Sequence, residues 1–201
     1  MTVRIAILVE GATEAVFKDA LHRWLGPKVS GCMPKLNFVK QDGRLPKEDK
    51  LKRMVTLLLS DYDAVIALTD VYTGTNPPDF NDAADAKAKM RAWVGAEPRF
   101  HPHAAQHDFE AWLLPYWDRI RALAGSNLKR PAANPETVNH GRPPSKHLQD
   151  VFRTGSKNRS YSKTRDAAAI LRDQDLSVAA SSCPELQAFL DTVLALARSA
   201  T

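Results

Sequence analysis

Cysteine is nearly absent from this sequence. Cys32 and Cys183 are the only two, they stand far apart, and neither has a CxxC spacing or a cluster of histidines beside it. That argues against a zinc knuckle and against a disulfide framework, and it points to a reducing compartment. No apolar run approaches the roughly 20 residues that a membrane span requires. The first apolar stretch is broken at Glu10, too early for a signal peptide, so the expected location is cytoplasmic and no membrane contact is expected. Neither a Walker loop nor a GxGxxG loop occurs, which weakens a phosphotransferase acting on small molecules. No segment repeats.

What is present suits a single packed unit. The chain has 201 residues, 44% of them hydrophobic, enough for one core, and the expectation is a single domain over 1–201 with an α/β core over 1–124 and a helical cover over 125–201. Residues 4–9 and 64–69 read as buried strands, 36–39 as a second short strand, and 99–106 as an irregular fourth that Pro102 pushes toward an edge. Helices are expected after the first strand up to Gly26-Pro27, and over 50–60, 81–94, 110–123, 145–152, 163–173 and 184–198. Strands alternating with helices call for a doubly wound parallel sheet, whose sites form beyond the carboxyl ends of the strands. The net charge of +5 favours approach to a polyanion without establishing it.

Acidic residues stand where that architecture puts chemistry. Glu10 ends the first strand, Gly11 allows a sharp turn, and Glu14 follows one helical turn on, so the two carboxylates can share one hard cation. A plainer reading makes Glu14 a helix N-terminal acid and Glu10 a solvated loop residue. Asp70 ends the third strand, where it could equally start a turn. Asp108 and Glu110 flank Phe109 after the fourth. His101, His103 and His107 lack partners at zinc-like spacing, and Trp93, Trp112 and Trp117 read better as core than as a base-stacking platform.

Val9-Glu10-Gly11-x-Thr13-Glu14 resembles the first motif of TOPRIM domains, above all the version in overcoming-lysogenization-defect (OLD) nucleases. With Asp70, the segment from Gln106 to Leu114, Pro144-Ser145-Lys146, Tyr161-Ser162-Lys163-Thr164 and Cys183-Pro184, the chain is similar almost throughout to a small bacterial TOPRIM-like family of unknown function (DUF4276-type). The resemblance implies a TOPRIM-like (Rossmann-like) parallel sheet flanked by helices. It implies a Mg²⁺- or Mn²⁺-dependent nuclease with Glu10, Glu14, Asp70, Glu110 and, more weakly, Asp108 as metal ligands. Glu10 doubles as a general base, and Lys163 or Lys146 offsets charge on the scissile phosphate. Lys146, Lys157, Arg159, Lys163 and Arg165 would rim the site for a nucleic acid, DNA more readily than RNA. A separately encoded AAA- or ABC-type ATPase, as in antiphage defence, and self-association are the implied partnerships. Tyr72 departs from the Asp-x-Asp of the second motif, with Asp79 or Asp82 as substitutes. That departure sustains a rival reading, a non-catalytic subunit binding nucleic acid or protein on the same scaffold.

Overall fold

The computed structural model describes residues 2–11, 16–41, 43–72, 75–131, 134–137 and 142–199. Four strands, β1 (Arg4–Val9), β2 (Lys35–Lys40), β3 (Ala64–Asp70) and β4 (Phe100–Ala105), pair in parallel in the order β2-β1-β3-β4. Eight α-helices accompany them among the described residues: α1 (Phe17–Leu25), α2 (Glu48–Leu58), α3 (Ala83–Val94), α4 (Trp117–Ala124), α5 (Pro144–Thr154), α6 (Lys163–Leu171), α7 (Leu176–Ala180) and α8 (Pro184–Arg198). No described helix is long and apolar enough to cross a membrane.

β1 and β3 are apolar without alternation because both faces of the sheet are covered. Ile5, Ile7, Val9, Ile66 and Leu68 face a cluster shared with α1 and α4 to α8. Ala6, Leu8, Val65 and Ala67 face α2 and α3. The chain leaves β1 toward β2, then crosses back past β1 to β3, so right-handed crossovers put α1 and α2 on opposite faces. The order therefore reverses between β1 and β3, and the switch point lies at their carboxyl ends.

The fourth strand is an edge, as Pro102 demands, yet it is buried almost throughout rather than alternating. Pro102 pairs with Ala67, and α8 covers the strand, with His103 Nε2 3.0 Å from the Thr192 hydroxyl. The expected helix over 110–123 is instead a 3-10 segment, Phe109–Tyr116, followed by α4. Pro115 has no N–H to donate to a regular helical ladder, and every residue of that segment except Pro115 is buried, so tertiary packing sets its winding. The five-residue α7 was not anticipated; Asp175 caps it by accepting from the Ser177 N–H.

Phe17, Phe109, Trp112 and Phe189 join α1, the 3-10 segment and α8, with ring centroids 5.6–6.0 Å apart. Glu136 reinforces the junction by accepting from Trp112 Nε1 at 3.0 Å and from the Glu185 N–H at the start of α8 at 3.1 Å. Phe189→Ala should therefore lower stability by about 3–5 kcal/mol, the usual cost of emptying a buried aromatic site, as measured by urea denaturation.

Candidate functional site

The switch point brings Glu10 and Asp70 together. Val9 pairs with Leu68, so Glu10, one residue on, lies beside Thr69. Its Oε1 accepts from the Thr69 hydroxyl and, at 3.3 Å, from the Asp70 N–H. Asp70 Oδ1 in turn accepts from the Phe109 N–H at 2.9 Å, tying the end of β3 to the segment after β4. A second tie runs from the Tyr72 N–H to the His107 carbonyl at 2.6 Å, where His107 adopts a left-handed backbone with φ of 73°. Three strand ends are thus joined through carboxylates and main chain.

Asp108 and Glu110 are buried next to this junction. Asp108 Oδ2 accepts from the Ser145 N–H at 3.1 Å, which anchors the first turn of α5, while its Oδ1 has no hydrogen-bond partner. Neither oxygen of Glu110 makes a well-directed hydrogen bond, although Lys163 Nζ stands 3.4 Å from Oε1. Burial and the neighbouring Asp108 push the Glu110 carboxyl up to about 7, against the pull of Lys163. Burial likewise raises Asp108, with Ser145 opposing. Partial burial pulls the Lys163 ammonium down, but Glu110, Asp70 and Asp108 outweigh it and hold its pKa above the ordinary lysine value. Burial and then Glu110 keep the Tyr161 phenol protonated.

Lys163 is delivered by the first turn of α6, and Asp166 fixes that turn. The Asp166 carboxylate is buried and accepts from the Ser162 N–H at 2.7 Å, from both terminal nitrogens of Arg159 at 2.7 and 2.9 Å, and from Arg165. Burial alone would raise this carboxyl; the hydrogen bonds from Arg159, Arg165 and Ser162 prevail and lower it.

Several expectations need correction. Arg159 is committed to Asp166 and stacks on Phe152, 4.5 Å from its ring centre, and Arg165 also turns to Asp166. Lys157 donates to the Leu123 carbonyl. All three are engaged in contacts within the chain rather than standing free. Lys146 donates to Gln149 at 3.2 Å and lines a cleft with Arg153 and Tyr161, beside the acids rather than among them. Asp79 pairs with Arg44 and Lys47, and Asp82 caps α3 by accepting from the Asp85 N–H, so neither stands in for a second motif acid. Glu14 lies outside the described residues. Among the described residues no three His, Cys, Asp or Glu side chains stand close enough to hold one ion together. His103 is held neutral by burial, then by Lys87, with its pKa down to about 4. Trp112 is core, as expected, and so is Trp117, their indoles donating to Glu136 and to the Leu128 carbonyl.

A model of the family described as "Domain of unknown function (DUF4276)" matches residues 9–194. The chain belongs to this family. Its fold resembles the C-terminal region of the Burkholderia pseudomallei OLD protein at a TM-score of 0.54 and 13% identity, covering 98% of this chain and 100% of that one. The C-terminal region of the Xanthomonas campestris pv. campestris OLD protein gives 0.51 and 16%, covering 98% and 96%. The match is one of fold, a TOPRIM-type α/β architecture with its parallel sheet flanked by helices. No curated protein gives a significant match.

Three residues important to this DUF4276 site escaped the sequence reading: Thr69, Ser145 and Asp166. Thr69 sat in plain view at the end of an apolar strand, but its contact with Glu10 depends on β1–β3 register. Ser145 stands in the Pro144-Ser145-Lys146 segment with no role of its own there, and Asp166 carries no motif signal, since each acts through a partner distant in the sequence or through a helix start.

A carboxyl whose folded-state pKa of about 7 exceeds its ordinary 4.5 keeps a proton that the unfolded chain releases. Its effect is therefore a loss of stability as pH rises from about 4.5 through 7. In EDTA, Glu110→Gln should remove that loss and stabilise the protein at pH 8 by up to about 3 kcal/mol, with the two urea midpoints converging near pH 4.5. Asp166→Asn should cost about 2–3 kcal/mol by leaving Arg159 without its carboxylate, read by thermal unfolding.

Proposed function

We propose that this protein is a Mg²⁺- or Mn²⁺-dependent nuclease that hydrolyses phosphodiester bonds, in DNA more readily than in RNA. The observation that carries the reading is the buried, poorly hydrogen-bonded Glu110 beside Asp108, with Lys163 at 3.4 Å, at the sheet's switch point next to Glu10 and Asp70. The donor set is entirely carboxylate oxygen, which suits a hard dication, and the hydrogen-bond-deficient oxygens of Asp108 and Glu110 are those such a charge would satisfy. No three of the described acids converge, so an ion would be held by a pair drawn from Glu10, Asp70, Asp108 and Glu110, with Glu14 in support. When bound, the ion supplies an activated water and compensates phosphoryl charge.

The chain's own groups divide the remaining work. The Thr69 hydroxyl and the Asp70 N–H hold Glu10 Oε1 and so orient its carboxylate for ligation or for accepting a proton. Lys163, kept charged by three acids, stabilises negative charge growing on the phosphate. Asp166 and Arg159 keep the turn that presents it rigid. The resemblance to OLD proteins extends the reading to a role in antiphage defence with a separately encoded ATPase and to self-association.

A second reading, a non-catalytic scaffold that binds nucleic acid or protein, draws on Tyr72, which stands half exposed where the second motif calls for an acid. Cleavage of supercoiled plasmid and of a structured RNA by the purified protein separates the two. With Mg²⁺ or Mn²⁺ the wild type should cut, EDTA should stop it, and Glu10→Gln, Asp70→Asn and Lys163→Ala should each lower the rate at least about 100-fold, as expected for removing a principal charge-stabilising group. Absence of cutting under either metal, together with no metal-induced rise in melting temperature, would favour the scaffold.

A further inference from the structure

A small pocket of about 10 Å³ joins Glu10 to the segment before α2, lined also by Thr69, Arg44, Lys47, Asp79 and Trp93. Two hydrogen bonds to main-chain carbonyls fix the segments that carry its charged groups. The Gly43 N–H donates to the Glu10 carbonyl at 3.2 Å, which binds the segment after β2 to the end of β1. Lys89 Nζ donates to the Asp79 carbonyl at 2.9 Å, which fixes the segment before α3. Across the gap Asp79 receives Lys47 Nζ at 2.5 Å and an Arg44 guanidinium nitrogen at 3.5 Å. Two cations share Asp79, and with Glu10 counted the four charges of the pocket balance. Both cations remain accessible, with side chains 45% and 41% exposed, whereas Asp79 is 16% exposed. The positive excess lies along α2, where a neighbouring groove presents Lys50 and Arg53 with Arg44 and Lys47, against Glu48 and Asp49.

We propose that Arg44 and Lys47, oriented by Asp79 and extended by Lys50 and Arg53, seat the phosphates of a nucleic-acid strand on the α2 side of the acidic site. This rests on the nuclease reading and adds the direction in which the strand leaves the scissile position. A row of carboxylates repels a polyanion, so the flanking phosphates require cations within a short reach of Glu10. Arg44 and Lys47 meet that requirement, because they line the same pocket as Glu10. Contacts of this kind fix the register of the backbone and carry no base sequence.

The test is the salt dependence of binding, followed by anisotropy of a labelled oligonucleotide, single-stranded and duplex, in Ca²⁺ and in EDTA. Each phosphate contact contributes about 0.7 to the slope of log K against log salt for a single strand and about 0.9 for a duplex. The Arg44→Ala/Lys47→Ala pair should reduce the slope by about twice that increment. Arg44→Lys/Lys47→Arg should preserve it, and so should Lys35→Ala, which removes one charge at the opposite end of the sheet. An unchanged slope in the alanine pair, or no binding by the wild type, overturns the seat. Cleavage is scored separately: a reduced slope in a protein that cuts nothing with Mg²⁺ or Mn²⁺ sustains the seat and overturns the nuclease reading alone.

Discussion

The pairing of β1 with β3 is the constraint on which the candidate site depends. Because the chain passes from β1 to β2 and returns to the other side of β1, two strands far apart in sequence end side by side with no helix between their tips. Register then decides which groups meet. Val9 opposite Leu68 puts the Glu10 carboxylate against the Thr69 hydroxyl and the Asp70 amide. A slip of one residue would turn Ile66 and Leu68 to the wrong face of the sheet, so the hydrophobic pattern that stabilises the core also enforces the contact at the site.

Around that contact the protein tolerates an arrangement that opposes its own stability. Glu110 is fully buried beside a second buried carboxyl and has only an ion pair at 3.4 Å to offset it. A core residue chosen for packing would be apolar, and buried acids without full hydrogen bonding are usually explained by function. Support arrives from outside the sheet. Ser145 at the head of α5 and Lys163 at the head of α6 both reach back to these acids, and Asp166 with Arg159 braces the second helix start. The C-terminal helices therefore do more than cover the sheet: they supply the only described cation standing against Glu110.

The same architecture in OLD C-terminal regions, at 13–16% identity, shows how little sequence is needed to specify it. What such a fold holds constant is the direction of the strands and the place of their carboxyl ends. What it leaves open is the chemistry put there, and Tyr72 is a local example, an aromatic at a position where the TOPRIM pattern calls for an acid.

The sequence by itself determined the parallel α/β layout, because continuous apolar runs at 4–9 and 64–69 suit only strands covered on both faces, and because Pro102 suits only an edge. It also determined which carboxylates stand at strand ends, since Glu10 and Asp70 interrupt those runs. Tertiary structure decided the rest. Arg159 and Arg165 read as part of a basic rim until folding brought Asp166 among them, and Asp79 read as a substitute metal ligand until Arg44 and Lys47 closed on it. The winding of Phe109–Tyr116 follows burial on all sides, which no periodicity encodes. Charges are sorted into structural and functional by partners distant in the chain, and only strand order and register choose those partners.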